Sequence, residues 1–366
     1  MAAPAGAAET IRVALSEGPR SVELGAGPFA VNDLAGQALF AERPTWVRVI
    51  AQPSGVEVRG ADGRAIRAAA IRIVPMNGAL RVNQRDYPGT IEVQPSGEGL
   101  LVVNELAFED YVAGAVKAEA GERMPPEMLK AQAIVTRTYG AYHRRLNAGK
   151  PYHVVAGTAH QQYTGRVALA SPVWDAVRET EGQVVLWEGA LFPAFYHTDS
   201  GGHTEDPRVV FAAANMPALR PVRVEFVSDS PHHLWRLEVP LGDLAAQLRR
   251  GGVAVGQILG LDVVERSVSL RVARIAVRGT LGTAVLRGNE FRRLLGYDTL
   301  KSTLFAVAVD DGAARFAGRG YGHGVGMDQS IAKTMALLGY GGRQIVEYFF
   351  PGTTMGSLAG PAAARR

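Results

Sequence analysis

Three glutamates, Glu119, Glu122 and Glu127, are the residues of this sequence whose type and setting best suit acid–base chemistry. Alanine, valine and methionine residues surround Glu119 in the chain. A carboxyl group in apolar surroundings loses hydration, which favours its protonated form, and a general acid near neutral pH needs that form. The alternative is that all three are solvated charges at helix ends. Composition alone leaves both interpretations open.

A long helix is the element that must position these glutamates. Pro125 and Pro126 suit its first turn, because that turn leaves backbone N–H groups unbonded and proline has none. Asn147 and Gly149 provide its end. One apolar face recurs at spacings of three and four, through Met128, Ala131, Val135, Tyr139 and Tyr142. We therefore predict a packed helix that directly follows a carboxylate-bearing loop.

The rest of the chain predicts an α+β fold. Alternating or short apolar runs between residues 10 and 105 indicate β-strands, and strand patterns return after residue 150. Separate helices are predicted at LGDLAAQLRR, at GNEFRRLLGY and after Gly326. Without regular βαβ alternation, short strands in antiparallel or mixed sheets are expected, with a groove between them and the helical segment that carries the glutamates. We predict a β-rich region at 10–100, a second domain at 101–355 and a flexible tail at 356–366.

Composition narrows the class of protein. The net charge of +4 rests on arginine, since only five lysines are present, and it favours anionic partners such as a cell-wall polymer. No basic run supports binding to nucleic acid. The absence of cysteine excludes disulfides, thiol nucleophiles and cysteine-bound zinc. No apolar run predicts a membrane span, and the first residues, MAAPAGAAET, lack the features of a secretion signal, so we expect a mature end.

The segment FYHTDSGGHTED, residues 195–206, offers two kinds of chemistry. Its DSGG resembles the nucleophile segment of trypsin-like proteases, but about forty residues between His160 and Ser200 are too few for their two barrels. That interpretation is rejected. A metal is the other option, because His197 and His203 together with His160 could supply three nitrogen ligands. The alternative is a polar turn whose histidines bond to the backbone.

The segment GRGYGHGVGMDQ, residues 318–329, contains alternating glycines, which indicate positive φ or close backbone approach. A dinucleotide-binding turn is disfavoured, because the spacing is GxGxGxG and no acidic residue stands at the expected distance. What remains is a rigid strand or loop that places Tyr321, His323 and Gln329 side by side at a groove.

Several motifs, in order along the chain, resemble the stage II sporulation protein D (SpoIID/LytB) family of bacterial cell-wall proteins. They are EDYVAGAVKAEAGERMPPEMLKAQAIVTRTYGAYH, QQYTG, YHTDSGGHT, LRGNEFRRLLG with KSTLF, and GRGYGHGVGMDQ followed by YFFPGT. The resemblance covers residues 95–355 and extends more loosely into the β-rich region. It implies that residues 101–355 form a SpoIID-like catalytic domain.

This resemblance implies a lytic transglycosylase that cleaves peptidoglycan glycan strands, preferably those stripped of stem peptides, and leaves anhydro-muramic ends. The family's catalytic glutamate corresponds to Glu119, six residues before Pro125. A single carboxyl group would act first as acid and then as base, whereas ordinary glycosidases need two. No nucleic-acid partner is implied, and the expected location is extracytoplasmic.

The resemblance also implies a substrate groove. Tyr321, Gly322, His323, Gly324, Gly326 and Gln329 would line it, and the facing helix would contribute Lys130, Gln132 and Arg137. Other roles stay open, since Arg137 could be a structural ion-pair partner, Gln132 could tie the helix to a loop and Lys130 could face solvent. Some family members hold zinc with cysteine near the SGG loop, where this chain has Ser200. Zinc would therefore depend on His160, His197 and His203.

A second function is consistent with the same motifs. Other branches of the family are described as non-catalytic cell-wall binders that enhance an N-acetylmuramoyl-L-alanine amidase, which makes an amidase a candidate partner. Sporulation itself does not follow from the resemblance.

Overall fold

The computed structural model describes residues 9–211 and 215–358 and has the α+β fold predicted from the sequence. Residues 1–8 of the expected mature end, and residues 359–366 of the expected tail, lie outside the described residues. The described residues divide into two compact units. The first contains residues 9–124, 132–184 and 357–358, and the second contains 125–131 and 185–356. None of the helices in the described ranges is long and apolar enough to span a membrane.

Twelve strands form two six-stranded sheets in the first unit. The strands are β1 (Thr10–Glu17), β2 (Ser21–Gly25), β3 (Phe29–Asn32), β4 (Trp46–Gln52), β5 (Gly55–Gly60), β6 (Ala65–Ala68), β7 (Ile71–Pro75), β8 (Ala79–Val82), β9 (Arg85–Pro88), β10 (Thr90–Ser96), β11 (Gly99–Ala107) and β12 (Val154–Val155). The strand orders of the two sheets are β12-β1-β11-β10-β7-β3 and β6-β5-β4-β2-β8-β9, and neighbouring strands are antiparallel except β1 and β12, which are parallel.

The apolar runs predicted as strands before residue 105 are confirmed. Strands β3, β6 and β9, of four residues each, were not predicted, although the equally short β8 was. Strand β11 is buried along nearly its whole length, since it lies inside the sheet between β1 and β10. It leads directly into the first helix at Phe108 and so fixes where that helix begins.

Three helices of the first part of the chain follow: α1 (Phe108–Ala120), α2 (Pro126–Leu146) and α3 (Val173–Glu179). The predicted start of α2 at the two prolines and its end before Asn147 are confirmed. The predicted carboxylate-bearing loop is wrong for Glu119, which lies in the last turn of α1. Helix α1 has no side-chain N-cap, so its start carries no capping signal in the sequence.

The second unit is built around two three-stranded antiparallel sheets, β15-β20-β19 and β16-β17-β18. Short strands pair as β14-β21, in parallel, and as β13-β22. The elements are β13 (Gln183–Leu186), β14 (Tyr196–His197), α4 (Pro207–Phe211), a 3-10 helix (Pro217–Leu219), β15 (Leu234–Pro240), α5 (Leu241–Arg250), β16 (Ile258–Arg266), β17 (Val272–Gly279), β18 (Gly282–Arg287), α6 (Gly288–Leu295), β19 (Phe305–Asp310), β20 (Ala313–Arg319), β21 (Met327–Asp328), α7 (Gln329–Leu337), α8 (Gly342–Phe349) and β22 (Thr354–Ser357).

The core of these sheets contains Trp235, Leu244, Phe291, Phe305 and Phe316. The predicted helix LGDLAAQLRR is confirmed as α5, and GNEFRRLLGY contains α6. The apolar run LFPAFYHT, predicted as a strand, is strand only at Tyr196–His197, because a proline interrupts it.

Candidate functional site

Glu119 is positioned by the apolar stripe of α1. Tyr111, Ala115 and Glu119 follow one another at intervals of four, so the glutamate continues a face whose first two members are buried. The helix ends at Gly121, which adopts a φ of 79°. Glu119 is therefore half-buried at the C-terminal end of a helix, where the helix dipole does not stabilise an anion.

A backbone amide holds the Glu119 carboxylate. The N–H of Gln162 donates to Glu119 Oε1 at 2.5 Å, across 43 residues of sequence. The neighbouring Gln161 is buried, and its Oε1 accepts a hydrogen bond from the Tyr111 hydroxyl at 2.5 Å. Its backbone carbonyl accepts from the Gly157 N–H at 2.9 Å. Gln161, which precedes the residue that binds the Glu119 carboxylate, is thus held through both its side chain and its backbone.

The same loop is fixed again two residues later. The Tyr163 hydroxyl donates to Asn104 Oδ1 at 2.9 Å, and its ring lies against α1 at Gly114. A Cβ atom at Gly114 would approach the Tyr163 ring to 2.5 Å, so only glycine permits this contact. The rings of Tyr163 and Tyr111 lie 5.6 Å apart. We name residues 161–165 the clamp loop.

Two buried phenols lie within electrostatic reach of Glu119. Burial raises the pKa of Tyr139, and the charge of Glu119 raises it further. Burial also raises the pKa of Tyr111 well above its ordinary value, with smaller contributions from Tyr139 and Glu119. Both hydroxyls therefore keep their protons at any physiological pH.

Two imidazoles in edge-to-face contact continue this cluster. The His143 ring lies 4.3 Å from Tyr139 and 4.8 Å from His160 between centroids. Burial and the neighbouring His160 lower the pKa of His143 to about 4, so the ring is neutral at neutral pH. Both His143 ring nitrogens and His160 Nδ1 are buried without a hydrogen-bond partner among the described residues.

The other two glutamates have different surroundings. Glu122 lies 3.1 Å from Lys117 Nζ, and hydrogen bonds from Ser171 and Lys117 lower its pKa. Glu127 accepts from Lys130 Nζ at 2.7 Å and from the Gly342 N–H at 2.7 Å, and both bonds lower its pKa. Both carboxylates stay ionised at neutral pH.

The predicted substrate residues of α2 have mostly internal contacts. Arg137 is fully buried, and its Nε and Nη2 donate to the two carboxylate oxygens of Glu109 at 2.8 and 2.7 Å. Gln132 is also buried and donates to Thr136 Oγ1 at 3.2 Å. Lys130 is half-buried and paired with Glu127. The Arg137 contacts are those of a bidentate structural ion pair.

Four alternate glycines of the 318–329 segment adopt positive φ. They pack closely against the segment that begins at Phe195 and against the Arg271 side chain. At Gly326, with φ of 75°, a Cβ would come within 2.1 Å of the Phe195 carbonyl oxygen. At Gly324 it would come within 2.7 Å of the Arg271 guanidinium. Gly322 is half-buried, whereas Gly324 and Gly326 are buried. Close packing within the second unit therefore accounts for the glycine spacing.

The polar residues of that segment have separate sets of neighbours. Tyr321 is half-buried, donates to Asp298 Oδ1 at 2.6 Å and lies against the His232 ring at 4.8 Å. His323 packs against the rings of Phe195 and Phe211 at 5.8 and 5.3 Å. Burial, followed by the charges of Arg292 and Arg271, lowers the pKa of His323 to about 3. Gln329 is buried at the start of α7.

The candidate zinc ligands do not form a metal site. His197 Nδ1 lies 3.1 Å from the Val325 carbonyl oxygen, and His203 Nδ1 lies 2.7 Å from that of Thr204. The His160 ring meets the His143 ring edge to face. Across residues 9–211 and 215–358, no three histidine, aspartate or glutamate side chains are grouped to bind one metal ion. These residues therefore do not fit zinc.

Sequence analysis missed several groups. Tyr111, Gln161 and the imidazole pair depend on contacts between distant segments. Asp110 has a pKa raised by burial and by Glu109, but it lies at the other end of α1 from Glu119. The fully buried Arg271 donates to the Ser200 carbonyl at 2.6 Å, and burial lowers its pKa to about 10. Its one sequence signal is an arginine inside the apolar run SVSLRVARIAV.

Comparison with known proteins places this site in a family. The SpoIID model, described as stage II sporulation protein, matches residues 96–187, which include Glu119 and the clamp loop. Stage II sporulation protein D of Bacillus subtilis (strain 168) is 27% identical over 269 residues, which cover 69% of this chain and 75% of that protein. Residues 96–187 therefore match the SpoIID family, and the chain is similar to proteins of the SpoIID/LytB family over about two thirds of its length.

Other similar proteins extend the family comparison. An uncharacterised protein of Brachyspira hyodysenteriae (strain ATCC 49526 / WA1) is 29% identical over 74% of this chain and 72% of that protein. The amidase enhancer of Bacillus subtilis (strain 168) is 26% identical over 67% of this chain but 40% of its own length. A second family model, a domain of unknown function (DUF8618), matches residues 225–326.

Proposed function

We propose that this protein is a lytic transglycosylase that cleaves peptidoglycan glycan strands between N-acetylmuramic acid and N-acetylglucosamine, with Glu119 as general acid and base. The observation that carries the proposal is the setting of Glu119 within the family motif. Its carboxyl group is half-buried, is positioned by a hydrogen bond from the Gln162 N–H at 2.5 Å, and lies near two protonated tyrosines. The pKa values of Glu122 and Glu127 are lowered, so both are ionised at neutral pH and unsuited to donate a proton.

The reaction needs one carboxyl group used twice. Protonated Glu119 donates its proton to the glycosidic oxygen as the bond from that oxygen to the muramic acid anomeric carbon breaks. The primary hydroxyl of the same muramic acid then attacks the anomeric carbon, and the Glu119 carboxylate accepts the proton that this hydroxyl releases. The products are a free N-acetylglucosamine hydroxyl and an anhydro-muramic end, and Glu119 is protonated again.

The distance along α1 supports a mechanism with one carboxyl group. Ordinary glycosidases use two carboxyl groups, separated by at most about 9.5 Å in inverting enzymes. The raised-pKa carboxyl of Asp110 is nine residues from Glu119 on α1, which corresponds to about 13 Å along a helix axis. Asp110 therefore cannot serve as the second group for Glu119.

The proposal extends to substrate and location. Peptide-stripped strands are the proposed substrate, and an extracytoplasmic location follows from it. In the second unit, we propose Tyr321 and His323 as glycan contacts, since both are half-buried and His323 is neutral at physiological pH. The buried Gln132 and Arg137 are assigned to support of α2.

Cleavage of peptide-free glycan strands tests the proposal. Purified protein is incubated with such strands, and anhydro-muramic ends are counted by mass spectrometry. Glu119→Gln should lower the rate by about a hundredfold to ten-thousandfold, the contribution of a general acid–base residue. Glu122→Gln is the matched control and should retain activity, because Glu122 bonds to Lys117 near the same helix end. Equal activity of the wild type and Glu119→Gln would refute the role of Glu119.

A second candidate is a non-catalytic protein that binds cell-wall glycan and enhances an amidase. It is supported by the similarity to the amidase enhancer of Bacillus subtilis. Under this alternative, the wild type and Glu119→Gln would bind the strands equally and produce no anhydro ends. Each would then raise the rate of an added N-acetylmuramoyl-L-alanine amidase.

A further inference from the structure

A cleft of about 820 Å³ opens on the second unit, on the exposed face of the β15-β20-β19 sheet. Its floor is formed by Ala306 and Ala317, which lie opposite each other on neighbouring strands. Both point away from the core, since the alternate residues Phe305 and Phe316 are buried. The cleft lies within residues 225–326, which match a domain of unknown function.

Two solvent-exposed leucines form the walls of this cleft. Leu234 is 67% exposed, and Leu270, in the turn between β16 and β17, is 65% exposed. Leu270 has a φ of 63°, a conformation that costs a residue with a side chain roughly 1–2 kcal/mol. Arg266 secures this turn, because its Nη1 donates to the Leu270 carbonyl at 2.7 Å and its Nη2 to that of Phe305 at 3.0 Å. The strained turn is thus held over the sheet.

The charged side chains that line the cleft are all arginines. Arg236 and Arg319 line it, and neither forms an ion pair within the part of the chain that the structure describes. On the same sheet face, Arg315 is different, because its Nε donates to Glu238 at 2.9 Å. None of the described residues that line the cleft is acidic. Arg236 lies opposite Ala317 and Arg319 lies opposite Leu234, so two cationic side chains share one face of the sheet, and an anionic ligand would complement them.

We propose that this cleft binds an acidic peptide with small apolar side chains, namely the stem peptide of intact cell-wall glycan. The assignment of that source rests on the proposed function. Peptide carboxylates complement Arg236 and Arg319, while alanine methyl groups fit between the leucines on the alanine floor. A bare sugar chain fits less well, because its hydroxyl-covered surface buries less apolar area against the alanine floor and the leucine walls. Such a site would hold the protein on intact wall beside stripped strands.

Calorimetry with the full chain tests this proposal without reference to cleavage. The probe is N-acetyl-L-alanyl-γ-D-glutamyl-meso-diaminopimelyl-D-alanine, compared with the same peptide carrying amidated carboxyls and with peptide-free glycan strands. We expect saturable binding of the acidic peptide by the wild type and equally by Glu119→Gln. The double variant Arg236→Gln/Arg319→Gln should bind at least about tenfold more weakly, because it loses two charge-assisted hydrogen bonds.

Arg278→Gln is the matched control. It removes one positive charge from an exposed arginine that pairs with Asp262 and does not line the cleft, so the affinity should not change. No peptide binding, binding that the double variant retains, or binding of the amidated peptide with equal affinity would overturn the proposal. Binding of glycan strands that the double variant abolishes would replace the peptide with a glycan. A protein that binds the peptide without cleaving glycan would refute the proposed function and leave this site standing.

Discussion

The substitution Tyr111→Phe tests whether the clamp loop controls Glu119. It removes the hydroxyl that donates to Gln161 Oε1 at 2.5 Å and keeps the aromatic ring. Gln161 is 1% exposed, so its carboxamide oxygen would lose its donor inside the protein. The next residue, Gln162, donates to the Glu119 carboxylate. Loss of the hydroxyl should therefore loosen the residue that holds the acid.

The size of both effects can be worked out. An unsatisfied buried acceptor costs about 1–3 kcal/mol, so the free energy of unfolding should fall by about 2 kcal/mol. Displacement of the carboxylate by about 1 Å lowers a rate by up to about a hundredfold, so cleavage should fall between tenfold and a hundredfold. The Km should change less than kcat, because the carboxyl acts in the chemical step.

Tyr163→Phe is the companion substitution on the other side of Gln162. It also removes a buried hydroxyl, the one that donates to Asn104 at 2.9 Å, from the same loop. Because both hydroxyls hold the clamp loop, urea denaturation should show a loss of stability in both variants, and glycan cleavage should fall in both. Full activity in either variant despite its lower stability would refute the reasoning.

Two further substitutions test the ring cluster around His143 and the glycine-rich segment 318–329. The His143 pKa is lowered to about 4, so the unfolded chain takes up the proton first and the free energy of unfolding should fall as pH drops from about 6.5 to 4. His143→Phe should remove about 2 kcal/mol of that fall, discounted for partial solvent exposure, and pH-dependent urea titrations would measure it. Gly326→Ala should lower the melting temperature far more than Gly339→Ala. Both glycines have positive φ. A Cβ atom at Gly326 would lie 2.1 Å from the Phe195 carbonyl oxygen, whereas a Cβ atom at Gly339 would have no other atom within 4 Å. Equal melting temperatures would contradict the packing argument.

Local signals were sufficient wherever an element carried its own boundaries. Proline at the start and Asn147 after the end defined α2, and the glycines after Arg250 defined the end of α5. Helix α1 was harder to predict, because it has no side-chain N-cap. Its signal was the recurrence of Tyr111, Ala115 and Glu119 at intervals of four, followed by Gly121.

The surroundings of the acid could not be predicted from local patterns. The Gln162 amide reaches Glu119 across 43 residues, and the Tyr111–Gln161 bond spans 50. Both depend on how the clamp loop returns to α1. The family motif identified Glu119 among the three glutamates. The lowered pKa values of Glu122 and Glu127 argue independently against either residue as the proton donor.

The cationic cleft could not be predicted from local sequence patterns either. Arg236 and Arg319 are 83 residues apart in the sequence and are brought to one face by the register of β15 with β20. An alternating strand pattern shows which side chains share a face of one strand, but it does not show which strand is its neighbour.

Cleavage of peptide-free glycan strands in oxygen-18-labelled water tests the central claim most directly. If Glu119 promotes attack by the sugar's own hydroxyl, the wild type will produce anhydro-muramic ends that contain no label, and Glu119→Gln will produce almost none. Labelled reducing ends in the wild-type products would show that water is the nucleophile and would contradict the mechanism with one carboxyl group.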